Sequence, residues 1–137
     1  MIFTSFYGKL AAYPDIYERK QLVVSSNSVP REFPDSIKAH LDWGYRPVLK
    51  PEWETVSSYS KGDISEKEFR DRYLRDLEER YRKMPGLFKR LIDLASTSDI
   101  VLLCYESNSQ FCHRRLAALF LIRKARDLGI TLTTACL

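Results

Sequence analysis

Apolar positions along the chain recur with two periods. Residues 2–7, 21–26 and 99–104 are short runs rich in β-branched and aromatic side chains, which predicts strands. The third contains Ile100-Val-Leu-Leu-Cys104, apolar at every position, as in a strand covered on both faces of a parallel sheet. Elsewhere the spacing is helical. Phe69, Tyr73, Leu77, Tyr81 and Met84 make one stripe, opened by the capping box Ser65-Glu-Lys-Glu68 and closed by Pro85-Gly86. Residues 87–95 and 112–128 predict two more helices, the second ended by Gly129, and residues 130–135 a last strand. Residues 9–18 read as a short helical or irregular crossover. Residues 27–50 hold Pro30, Pro34 and Pro47 around a short helical stretch at 35–43, so they form a long excursion. Pro51 then sits at the first position of a further helix.

Strand, crossover, strand, helices, strand, helix, strand is the order that builds an α/β domain. The expectation is a Rossmann-like, mostly parallel sheet of about four strands flanked by helices, with residues 1–137 as a single domain. If the first three strands are parallel neighbours, the turns at residues 5–9, 25–28 and 104–114 converge at one edge, where open α/β sheets bind ligands. A chain of 137 residues buries enough surface to fold without disulfides or metal, and three cysteines without regular spacing fit a reducing compartment. The longest apolar run, residues 116–122, is far shorter than a membrane span, and Met1 is followed by no basic-then-apolar leader, so a cytoplasmic protein is expected.

Net charge is +4. On the long helix, Glu66 precedes Arg70 by four residues, and Glu68 with Arg72, Asp71 with Arg75, Asp76 with Arg80, Glu78 with Arg82 and Glu79 with Lys83 repeat that spacing. Most of its arginine is therefore expected to be paired. The last helix, with Arg114, Arg115, Arg123, Lys124 and Arg126 against Asp127, carries the surplus and is where an anion is expected.

Candidate chemistry concentrates in the segment 104–115. Amides at a helix start favour an anion, and Arg114 and Arg115 add charge there; Thr4, Ser5, Lys9, Cys104 and Ser109 complete the expected ligand-binding set. Glu106, Cys112 and His113 are the candidate catalytic residues: a strand-end carboxylate can serve as nucleophile or base, and a thiol at a helix N-terminus beside a histidine is activated. The bland readings are an Arg114–Glu106 ion pair that pins the loop and a Cys112 that only packs. Cys104, Cys112 and His113 raise zinc, but the spacing matches no paired-cysteine pattern and adjacent residues on a helix diverge, so no metal is expected. A reversible Cys104–Cys112 disulfide is open; Cys136 is expected in the core. Five glycines form neither GxGxxG nor GxxxxGK[ST], so no cofactor is expected.

Phe3-Thr-Ser5, Leu49-Lys-Pro51, Tyr73, and above all Leu102-Leu-Cys-Tyr-Glu106 followed by Phe111-Cys-His-Arg114 resemble the bacterial and phage domain of unknown function 488 family over nearly the whole chain. The resemblance implies an α/β fold and no agreed activity. The final strand departs from the family pattern in ending without an acidic residue. Two readings follow for the site: a small enzyme acting on a nucleotide-like or phosphate-bearing substrate, or a non-catalytic module that binds such a ligand or, less expectedly, nucleic acid.

Overall fold

The computed structural model describes residues 1–105 and 112–137. Its strands are β1 (Ile2–Phe6), β2 (Gln21–Val24), β3 (Leu41–Asp42), β4 (Ile100–Cys104) and β5 (Thr134–Cys136), joined in one sheet of order β3-β2-β4-β1-β5. Every pairing is parallel. The fifth strand, β3, lies in the stretch whose spacing predicts helix. There the helix α2 is confined to Asp35–Lys38, and Leu41 pairs with Leu22 at the sheet edge. Two residues are too few to show a strand period.

Period-2 alternation sorts β2 and β4 between two cores. Leu22, Val24, Val101 and Leu103 meet Tyr7, Leu10 and Tyr17 from α1 (Tyr7–Ala12) and the 3-10 turn that follows it. Val23, Ile100 and Leu102 face the other way, under α5 (Glu66–Lys83), α6 (Pro85–Thr97) and α7 (His113–Asp127). Ser65 accepts the Glu68 amide at the head of α5, the first half of the capping box, and Phe69, Tyr73 and Leu77 form the buried face. Rings of Tyr81, Phe88 and Phe120 meet at centroid distances of 5.4, 6.2 and 5.6 Å and lock the three helices together. Gly129, with φ 78°, supplies the left-handed residue that ends α7.

The charge pattern is redistributed by packing. Arg70–Glu66, Arg72–Glu68 and Lys83–Glu79 form as the spacing predicts, but Asp71 takes Lys67, Arg80 turns to Glu52, and Arg82 reaches Glu79. Glu78 leaves its own helix and binds Lys124 at 2.9 Å and Arg123 at 3.4 Å. Helix α7 is thus less of an isolated basic surface than its sequence implies. Among the described residues no helix is long and apolar enough to cross a membrane.

Candidate functional site

Strand β4 sits between β2 and β1, so their carboxyl ends share one edge. The chain leaving β1 passes to the α1 face, and the chain that follows β4 enters α7 on the opposite face. Divergence of successive connections is what opens a crevice at the edge of a parallel sheet. A cavity of ≈ 120 Å³ lies there, between the 26–28 turn after β2, the helix α4 (Trp53–Ser60), Tyr105, and the start of α7.

One wall is aromatic. Trp53, Tyr59 and Phe69 line it with Val56, and Tyr105 stands across from them with its hydroxyl 3.1 Å from that of Ser28. Trp53 is 66% exposed and Tyr105 47%, so their rings border the mouth. The 25–28 turn is legible in the sequence, whereas these rings are not. Trp53, Val56 and Tyr59, three residues apart on α4, are the available signal; Pro51 precedes the N-cap Glu52 of that helix rather than standing at its first position.

The other wall carries Cys112 and His113. Cys112 is the N-cap of α7, with extended backbone at φ −149° and ψ 143°, so it lies outside the helix and its side chain converges with that of His113. Adjacent residues diverge only where both are helical, and Cys112 is not. The Cys112 Sγ is 3.6 Å from His113 Nδ1, and His113 Nε2 lies 2.5 Å from the Ser25 carbonyl. A carbonyl only accepts, so Nε2 carries the proton and Nδ1 presents a lone pair to the Cys112 sulfur. Burial pushes the imidazole pKa down to about 4, outweighing the Ser25 hydrogen bond, with Arg114 lowering it further. His113 is therefore neutral at physiological pH.

Behind this wall Cys104, at the end of β4, is joined to Cys112 as a disulfide, the pairing that the sequence left open, and Arg114 Nη1 donates to Cys104 Sγ at 2.6 Å. Cys104 and Arg114 are fully buried. The Cys104 and Cys112 Cα atoms are 7.6 Å apart. Relaxed disulfides have them at roughly 4.4–6.8 Å, so this pair is spaced more widely than is usual for the bond.

The remaining predicted residues are dispersed. Thr4 and Ser5 point to opposite faces of β1: Thr4 donates to Cys136 Sγ at 3.6 Å, while Ser5 pairs with the Tyr17 hydroxyl at 2.6 Å. Lys9 lies on α1, and Arg115 hydrogen-bonds Cys136. None of these, nor Arg114, lines the cavity. Glu106 and Ser109 lie outside the described residues. Cys136 is exposed rather than in the core, because β5 is an edge strand; the Thr4 hydrogen bond, with Arg115, lowers its thiol pKa.

No curated protein sequence and no solved structure matches the chain. A family model described as "Active DUF488-N3 subclade" matches residues 11–125, which include β2, α4, β4 and most of α7, and with them both walls of the cavity. The resemblance carried by the Leu-Leu-Cys-Tyr-Glu and Cys-His-Arg segments is thereby established: the chain belongs to the DUF488-N3a family.

Proposed function

We propose that this protein is a small enzyme acting on a nucleotide-like substrate, with Cys112 and His113 as its reactive wall. One observation carries the reading: the Cys112 sulfur, a thiol once reduced, and a neutral imidazole share a cavity with four aromatic rings, Trp53, Tyr59, Phe69 and Tyr105. At ≈ 120 Å³ the cavity is smaller than the ~150 Å³ that encloses a benzene ring, but its mouth is open between Trp53 and Tyr105, so it takes one small planar ring set part-way in, with sugar and phosphate outside. Amides and dipole at the first turn of α7 favour an anion there, with Arg114 packed behind. Glu106, from the sequence, is the candidate carboxylate. The family description calls the subclade active, which supports catalysis over mere binding. Pairing of Arg123 and Lys124 with Glu78 favours a pocket ligand over a nucleic-acid backbone.

The test is titration with nucleosides and nucleotides, read by tryptophan fluorescence and by chromatography of products. Trp53→Ala should weaken binding by ~5- to 150-fold, the ~1–3 kcal/mol of one stacked base. His113→Ala should remove turnover while binding persists. Affinity unmoved by Trp53→Ala but falling steeply with salt would indicate a nucleic-acid surface instead, and binding without turnover in the wild type would make the protein a non-catalytic module.

A further inference from the structure

We propose that Cys104, Cys112 and His113 form a binding site for a zinc-class metal ion, with its fourth coordination position open to the cavity. The three ligand atoms lie within 4.8 Å of one another, and all three residues are buried. Sulfur and imidazole nitrogen at ~2.3 and ~2.0 Å from one tetrahedral ion are ~3.5 Å apart. Cys112 Sγ and His113 Nδ1 are already 3.6 Å apart.

The surroundings also match what a metal demands. A metal-bound histidine donates its other ring N–H to a carbonyl or carboxylate, which fixes the tautomer and the ring plane. His113 does this to the Ser25 carbonyl, and Ser25 is held in turn by its amide and hydroxyl on the Leu103 carbonyl at 3.2 and 2.9 Å. Loop, strand and ligand are thus tied together. Arg114 Nη1 beside Cys104 Sγ favours the thiolate form that a metal takes. The Cα separation of 7.6 Å suits two sulfurs that share an ion, which stand ~3.7 Å apart, better than a direct bond. Admitting the ion requires the disulfide to be reduced to two thiols, after which the two side chains rotate apart to take it.

Cys112 and His113 line the cavity while Cys104 does not, so the cavity is both the entry path and the side on which the fourth position faces. Three protein ligands and one open position are the pattern of reactive rather than structural zinc. Two sulfurs and one imidazole select zinc over magnesium or calcium, which take oxygen. The ion's role in chemistry rests on the reading of this cavity as the reactive site; its binding does not.

The test uses the full chain, reduced, treated with chelator and then titrated with Zn²⁺ against a chromophoric competitor, and separately with Co²⁺. One ion per chain is expected, with a thiolate-to-cobalt charge-transfer band. Cys104→Ser, Cys112→Ser and His113→Ala should each weaken Zn²⁺ by at least ~100-fold, the upper range for loss of a mere supporting group, while Cys136→Ser changes nothing. Since a buried variant can fail to fold, alkylation of the wild type provides the second reading: Zn²⁺ should protect Cys104 and Cys112 from iodoacetamide in the unfolding-competent range of urea and leave Cys136 labelling unchanged. Absence of stoichiometric Zn²⁺, or a Cys104–Cys112 linked peptide that persists in reductant and excludes the ion, would overturn the proposal. Nucleotide quenching of Trp53 fluorescence in metal-free protein keeps the two readings separable: it can survive loss of the metal site, and the metal site can survive its absence.

Discussion

Arg80 holds the cavity's near wall to the long helix, and removing its charge should be costly. Its Nη1 donates to the Val48 and Lys50 carbonyls at 3.2 and 2.6 Å, and its Nη2 to Glu52 Oε1 at 2.7 Å. Between them the Tyr73 hydroxyl takes the Leu49 carbonyl at 2.5 Å. These carbonyls close the short helix α3 (Arg46–Leu49), where backbone acceptors have no helical partner and a cation is favoured. Arg80→Met keeps the apolar stem and deletes only the guanidinium. Each charged hydrogen bond contributes ~1.5–3 kcal/mol. The Glu52 carboxylate is 55% exposed and adds at most ~1 kcal/mol. Because water can reach the freed carbonyls, the low end applies, and the loss is about 3 kcal/mol. With an unfolding entropy of ~2.1 cal/mol/K for each of 137 residues, the melting temperature should fall by ~10 °C. Urea and thermal melts by circular dichroism measure both, with Arg82→Met, 72% exposed, as control. A loss under ~1 kcal/mol, or one equal to the control's, would show that the guanidinium is not a clamp.

Three further outcomes are expected. Ser65→Ala should cost ~1 kcal/mol in the same melts, since it removes the acceptor for the Glu68 amide; no change would mean that water replaces the cap. Iodoacetamide should label Cys136 before Cys104 or Cys112, because Cys136 is exposed with a lowered thiol pKa while the other two are buried; mass spectrometry gives the order, and Cys112 first would require the cavity wall to open. In chelated protein, the buried His113 titrates near 4 folded against ~6.5 unfolded, so the unfolded chain takes its proton first as pH falls. Stability should be intact above pH ~6.5 and decline toward about 4, by ~2 kcal/mol at pH 5, and His113→Gln should flatten that slope; a wild type flat across this range would mean that the imidazole is not buried neutral.

What could be read ahead of the structure follows from where local signals agree with packing. Ile100-Val-Leu-Leu-Cys104 is buried at every position because β4 is central, and an all-apolar run announces that situation. The capping box and the Phe69–Tyr73–Leu77 stripe were legible because cap and period lie within a single helix. Glu78 was not, since its partners Arg123 and Lys124 come from an element far along the chain. The convergence of Cys112 and His113 was hidden for a different reason: it depends on one residue, Cys112, having extended backbone at a helix boundary, which spacing does not specify. Ser5 appeared suited to the site by position, yet alternation along β1 turns it to the Tyr17 face.

The placement of β4 also constrains how the protein acquires its shape. Ile100 is the register partner of both Ile2 and Gln21, so the two N-terminal strands have no shared ladder until a strand made much later inserts between them. Nearly all of the sheet is therefore built from distant pairings, whose loop-closure entropy must be met before any ladder forms, and folding should be slow for a chain of this length. During synthesis β1 waits with both edges open and β2 with the edge that β3 does not cover, a state prone to aggregation. The long helix α5, capped and laced with its own ion pairs, can form in that interval and cover apolar surface before β4 arrives.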